Sequence, residues 1–213
     1  MERYGVAAVM PIKLENERLP GKNTMLLGGK PLLQYELESL LQIREIEKIY
    51  VFCSQKGIVD YIPDGVCFLR RPEYLDLPQS NFTQIFDEFM HQVDADIYVY
   101  AHATAPFVKV ETMRACIEAV LCEEYDSAFC ATKIQDFLWK GNKPLNFKAD
   151  NIPRSQDIEP IYRETSGVYV FKKEVFEKSY RRIGEKPFIK EVSYREAIDI
   201  NVREDFELAE KLL

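Results

Sequence analysis

The feature that most constrains this chain lies near its amino terminus, where an apolar run, Val6-Ala7-Ala8-Val9-Met10, leads into a polar loop and then a helix start. The run reads as a buried first strand. Pro31-Leu32-Leu33-Gln34-Tyr35 reads as a helix with Pro31 in its first turn. A strand, a long polar loop and a helix place that loop at the carboxyl edge of a parallel sheet, where open α/β folds bind ligands. The loop carries Lys13, Arg18, Lys22 and Lys30, and Pro11, Pro20 and Gly21 limit how it bends. Cations on a stiffened loop suit a polyphosphate.

The same alternation continues along the chain. Leu33, Leu37, Leu40 and Leu41 form a helical stripe before the strand Lys48–Cys53. Gln55 to Tyr61 reads as a crossing helix, and Val66 to Leu69 as a third strand ending in Arg70-Arg71-Pro72. Ser80 is placed to cap a helix whose buried face is Phe82, Ile85, Phe86 and Phe89. A strand at 96–100, a helix from Val110 to about Glu124 and a strand from Asp126 to Lys133 follow. Ser166 to Phe171 reads as a strand, Lys173 to Tyr180 as a helix, and Glu196–Asn201 as a last strand before a helix bearing Phe206, Ala209 and Leu213 on one face. The predicted fold is α/β, a three-layer doubly wound, mostly parallel sheet of Rossmann-like type, as one domain over residues 1–213.

Ile134 to Thr165 breaks the period with Gly141, Pro144, Pro153, Pro160 and scattered aromatics, Phe137, Trp139 and Phe147. A structureless loop of that length is unusual inside a compact domain. It is expected to be an arm packing on a second subunit, with a flap over its own site as the alternative.

Composition excludes several classes. A chain of 213 residues with 46% hydrophobic content can bury a full core. The formal charge of -7, with no basic tract, argues against a nucleic-acid polymer as partner. No apolar run approaches the roughly 20 residues of a membrane span. Glu2 and Arg3 precede too short an apolar stretch for a leader. Cys53, Cys67, Cys116, Cys122 and Cys130 lack CxxC spacing and read as reduced core residues of a cytoplasmic protein. Neither G-x-G-x-x-G nor G-x-x-x-x-G-K-[ST] follows the first strand, which disfavours dinucleotide dehydrogenases and P-loop ATPases.

Pro11-Ile12-Lys13, Arg18-Leu19-Pro20-Gly21-Lys22-Asn23 and Gly29-Lys30-Pro31-Leu32 together resemble the opening motif of the sugar-acid cytidylyltransferases, in particular the acylneuraminate branch. Later stretches extend the resemblance over nearly the whole chain. Arg71-Pro72 matches the family's "RP", and His102-Ala103-Thr104-Ala105-Pro106-Phe107 sits where the family has "Q-P-T-S-P-L". Arg154-Ser155-Gln156-Asp157 with Pro160-Ile161-Tyr162 resembles "R-[RS]-Q-D" and "P-x-Y", and Ile198-Asp199-Ile200-Asn201 resembles "I-D-I-D". The resemblance implies transfer of CMP from CTP to the anomeric hydroxyl of a 2-keto-3-deoxy sugar acid, in a homodimer joined through the arm.

On that resemblance Lys22 is the catalytic cation at the α-phosphate, with Lys13 and Arg18 on the outer phosphates. Asn23, Arg71 and Ser80 complete the nucleotide site, and His102, Thr104, Arg154, Gln156 and Tyr162 the acceptor site. Asp199 is expected to hold magnesium (Mg2+) with Asn201, which stands where the family has a second aspartate. Asn201-x-x-Glu204 is also a helix-capping signature, and capping is the expected role of Asn201. Lys13 replaces an arginine, exchanging a bidentate fork for a point charge. His102 replaces a glutamine and reads either as a rim residue or as a sugar contact. Asn23 favours the sialic-type branch over the eight-carbon octulosonate enzymes, which usually carry proline there. A non-catalytic nucleotide- or sugar-binding homologue is the remaining alternative.

Overall fold

The computed structural model describes residues 5–213; Glu2 and Arg3, on which the expectation of no leader rests, lie outside the described residues. Strand β1 (Val6–Ile12) runs into the cationic loop, which ends in a small hairpin of β2 (Leu26–Leu27) and β3 (Lys30–Pro31). Then follow α1 (Leu32–Leu41), β4 (Lys48–Cys53), β5 (Val66–Arg70), α2 (Phe82–Gln92), β6 (Ile97–Ala101) and α3 (Val110–Leu121). The second half holds β7 (Ser127–Ile134), a two-residue pair β8 (Trp139–Lys140) and β9 (Lys143–Pro144), β10 (Ile161–Lys172), α4 (Lys173–Ser179), β11 (Pro187–Glu191) and α5 (Arg203–Leu212).

Seven strands form one sheet in the order β11-β7-β10-β6-β1-β4-β5. Only β10 runs antiparallel to its neighbours, β6 and β7. Alternation along β1 explains the layers. Val6, Ala8, Met10 and Ile12 join the core shared with α1 and α3, whereas Ala7 and Val9 join the one shared with α2 and α4. The second core is aromatic: Phe86 packs edge-to-face on Tyr98, Phe171 and Phe176 at 5.0, 4.9 and 4.8 Å. No helix among the described residues is long and apolar enough to cross a membrane.

A third, smaller core decides where the site lies. Leu19 and Leu27 from the cationic loop pack with Leu32 of α1, Ile200, and Phe206 and Ala209 of α5. The two chain ends are thereby pinned together by apolar contact.

Several expected elements differ. Asn81, not Ser80, caps α2: its side chain accepts from the Gln84 N–H while Gln84 accepts from the Asn81 N–H, both at 3.1 Å. Asn and Ser cap about equally well, and the reciprocal Gln84 three residues on decides between them. Pro31 sits at the N-cap of α1, still held in the small hairpin. Lys56–Tyr61 is a 3-10 turn, too short in apolar face to form an α-helix. Glu196–Asn201 is no strand: Ile200 donates to the carbonyl of Thr104 at 2.8 Å without joining a ladder. Strand β11 carries no sequence signal, because Pro187-Phe188-Ile189-Lys190-Glu191 is neither an alternating nor a continuous apolar run. The irregular region is shorter than expected, since β10 begins at Ile161; within it Phe147 packs on Phe137 and Trp139 at 5.0 and 5.5 Å. Leu41 and Leu213 are exposed, as are Cys67 and Cys122, while Cys53, Cys116 and Cys130 are buried.

Candidate active site

A cleft of about 450 Å3 opens at the carboxyl edge of β1, β5 and β6. Lys13, Arg18, Lys22 and Asn23 from the first loop line one side, Arg71, Asp76 and Ser80 another, and Tyr100, His102 and Thr104 the end of β6. Lys30 is not on its lining; it pairs with Glu38 at 2.5 Å and lies over the Tyr35 ring.

Gly21 adopts a left-handed φ of 67°, which glycine tolerates without a Cβ clash and which opens the 3-10 turn Lys22–Thr24. The turn buries Lys22, whose ammonium donates to the Ile200 carbonyl at 2.9 Å. Burial draws the Lys22 pKa below the ordinary lysine range; the Asp199 carboxylate opposes that shift and Arg18 adds to it. Asn23 donates to the Lys13 carbonyl at 2.9 Å, so one of its amide donors closes the loop on itself.

Asp199 stands beside these cations. One carboxylate oxygen accepts from the Thr104 hydroxyl at 2.5 Å, the other from the Asn201 amide at 2.6 Å. The Asn201 oxygen in turn accepts from Arg18 at 2.6 Å. Asn201 therefore bridges Arg18 and Asp199 and does not cap α5. The cap comes from Asp205, which accepts from the N–H groups of Asn201 and Val202 at 2.8 and 3.0 Å. The carboxylate one turn in outcompetes an amide side chain already engaged with two charged partners.

Arg71 is buried and ion-paired to Asp76, whose other oxygen accepts from Ser54. Its Nε is buried without a partner among the described residues. Ser80 donates to the Tyr74 carbonyl at 3.2 Å. His102 packs between Tyr100 and Tyr169 with ring centroids at 5.0 and 5.8 Å, and its Nδ1 is buried without a hydrogen-bond partner among the described residues. Burial, helped by Arg182, holds its pKa down at about 4, so the ring is neutral at physiological pH.

The structure thus brings together Lys13, Arg18, Lys22, Asn23, Arg71, Ser80, His102, Thr104, Asp199 and Asn201. Arg154, Gln156 and Tyr162 are exposed and do not line the cleft; Arg154 pairs with Asp157 at 2.7 Å. Asp76 and Tyr100 also line the cleft, and nothing in the sequence singles them out. Asp76 lies five residues beyond Arg71 in a polar stretch, and no sequence period ties it to that arginine.

Residues 7–213 match the family described as cytidylyltransferase. The chain belongs to the cytidylyltransferase family. This cytidylyltransferase is 29% identical to the CMP-N,N'-diacetyllegionaminic acid synthase of Legionella pneumophila, covering 98% of this chain and 96% of that protein. It is 23% identical to N-acylneuraminate cytidylyltransferase A of Danio rerio, of which it spans 50%. With the 3-deoxy-manno-octulosonate cytidylyltransferase of Escherichia coli it shares 22% identity over 79% of this chain and 73% of that one. In fold it is similar to a CMP:2-keto-3-deoxy-manno-octonic acid synthetase complexed with CTP, at a TM-score of 0.71 and 17% identity over 98% of each chain.

Proposed function

We propose that this cytidylyltransferase transfers CMP from CTP to the anomeric hydroxyl of a 2-keto-3-deoxy sugar acid of the sialic, nonulosonic type. The observation that carries the reading is that Asp199, directly behind cleft-lining Thr104, is joined to cleft-lining Arg18 and Lys22 through Asn201 and the Ile200 carbonyl. The acceptor oxygen forms a bond to the α-phosphorus, the bond to the bridging oxygen of the β-phosphate breaks, pyrophosphate departs, and the hydroxyl proton passes to water. Such a displacement needs alignment and neutralisation of charge on the phosphate oxygens. Lys22 supplies the neutralising charge at the α-phosphate, and Lys13 and Arg18 hold the outer phosphates. Arg71, Asn23 and Ser80 face the nucleoside. Thr104 fixes the orientation of Asp199, and neutral His102 offers a ring nitrogen to an acceptor hydroxyl.

The donor set fits Mg2+. Among the described residues no group of three His, Cys, Asp or Glu forms a metal cage, which suits an ion that keeps waters and phosphate oxygens and takes one or two protein ligands. Asp199 would hold it, and Asn201 would join through its amide oxygen once that oxygen leaves Arg18. When bound, the ion neutralises charge on the phosphates.

The arm leaves Trp139, Leu145 and Ile152 well exposed, which supports a homodimer joined there, with Arg154, Gln156 and Tyr162 offered to the acceptor in the partner's cleft. A cytoplasmic enzyme of free CTP and sugar acid, with neither nucleic-acid nor membrane partners, accords with the acidic charge. Pyrophosphate release with CTP, Mg2+ and a panel of nine- and eight-carbon 2-keto-3-deoxy acids tests the reading. Turnover is expected on nine-carbon acids; CTP binding without turnover on any acid would favour a non-catalytic homologue, and turnover on eight-carbon acids alone an octulosonate enzyme.

A further inference from the structure

Beyond the cleft wall formed by Tyr100 and His102 stands a cluster that the reaction itself does not use. The Arg182 guanidinium lies 3.7 Å over the Tyr169 ring and 5.3 Å from the Phe82 ring. Its Nη2 donates to the Tyr169 hydroxyl at 2.9 Å and to Glu164 Oε1 at 3.1 Å, while the Tyr169 hydroxyl itself donates to Glu164. Tyr169 is buried at the sheet, paired with Tyr100 across β10 and β6. A long, mobile side chain is thus held in one place by a ring face and two polar partners. An isolated surface ion pair contributes little to stability and does not by itself account for such a convergence.

We propose that Arg182 is a specificity-determining residue for the acceptor, reading an acylamido substituent at the end of the sugar acid remote from the reacting carbon, with Glu164 as its partner in the contact. The inference rests on the acceptor class proposed above. In a 2-keto-3-deoxy acid the reacting carbon bears both the hydroxyl and the carboxylate, so the carboxylate stays near Lys22 and Asp199. The remainder of the acceptor then extends past His102. His102 and Thr104 line the cleft; Thr104 binds Asp199, while the His102 ring packs at 5.8 Å on Tyr169, the ring that carries Arg182, so His102 stands between the reacting end and the cluster.

The chemistry of the cluster selects the substituent. No described residue bonds Nε or Nη1 of Arg182, or Oε2 of Glu164, so a fixed donor fork and a fixed acceptor stand side by side. The carbonyl oxygen of an acylamido group accepts from the open edge of the guanidinium, and it is a stronger acceptor than the hydroxyl that would stand in its place, while Glu164 holds the guanidinium from the other side.

The test compares kcat/KM of the full-length protein for N-acetylneuraminate and N,N'-diacetyllegionaminate with that for the nine-carbon 2-keto-3-deoxy acid carrying hydroxyls in place of acylamido groups. Arg182→Met is expected to reduce the preference for the better acylamido acid by roughly 10- to 100-fold, the range for a lost hydrogen bond to a charged group. CTP affinity by calorimetry reports whether the nucleotide half is intact. Should Arg182→Met fail to bind CTP, Arg182→Lys and Glu164→Gln carry the same comparison, each expected to lower the preference by a smaller factor. A preference unchanged within about twofold, or an equal loss on all three acids, overturns the assignment of Arg182 alone. Wild-type protein that turns over none of the acids overturns the proposed function, and this inference with it.

Discussion

The Lys22 ammonium and the Ile200 carbonyl, 178 residues apart in the chain, meet at 2.9 Å in a buried hydrogen bond. That contact sets a buried cation of the first loop one residue from Asp199. It uses a backbone acceptor whose place is set by the burial of the Ile200 side chain among Leu19, Leu27 and Phe206.

Lys22→Ala is expected to lower the rate of pyrophosphate release by on the order of 10²–10³-fold, the usual consequence of removing one transition-state charge contact. Steady-state kinetics with saturating CTP measures it. Near-normal turnover would remove Lys22 from the mechanism.

The core that pins the two chain ends makes a separate prediction. Leu27→Ala, at a fully buried position, is expected to cost about 2–5 kcal/mol of stability by leaving a cavity between the loop and α5. Urea denaturation measures the loss, and kcat/KM should fall with it as Lys22 and Asp199 lose their common support.

Asn201→Ala cuts the bridge between Arg18 and Asp199 without opening the core. Global stability should change by less than about 0.5 kcal/mol, as for other surface substitutions. Catalytic efficiency should fall by roughly tenfold, the scale of one lost hydrogen bond to a charged group. Unchanged kinetics in a stable variant would reduce the bridge to a surface contact.

His102 couples stability to pH. Its folded pKa of about 4 lies below the ordinary histidine value of about 6.5, so between these values the unfolded chain binds more protons than the folded one. Stability contributed by neutral His102 is therefore full above pH 6.5 and is lost as pH falls toward 4, by on the order of 2 kcal/mol at pH 5. His102→Gln, which cannot titrate, should lack this part of the acid sensitivity. Equal losses for both proteins between pH 7.5 and 5, read from urea midpoints, would contradict the assignment.

The arm predicts an oligomer. Trp139, 57% exposed, and its aromatic neighbours should lie in a subunit contact, and Trp139→Ser should shift the protein toward monomer in sedimentation equilibrium. A wild-type protein that sediments as a monomer at high micromolar concentration would instead make the arm a flap.

What could be read from residue order was what depends on local pattern. Continuous apolar runs identify β1, β4 and β6, helical stripes identify α1 and α2, and a proline- and glycine-stiffened run of cations marks the loop that lines the cleft. Each of these states its role within a few turns or one strand, because side-chain period and backbone preference act locally. The resemblance then added Asp199 and Asn201 from the far end of the chain. Tertiary structure alone decided how they are used. Asn201 bridges Arg18 and Asp199 because the apolar contact of Leu19 and Leu27 with Ile200 and Phe206 brings the loop to it, and Asp205 is left to cap the helix. The pairing of Arg71 with Asp76, the burial of His102 and the clamping of Arg182 on Tyr169 likewise depend on which strands lie side by side. Residues distant in sequence leave no common period; their encounter is set by how both faces of the sheet are covered.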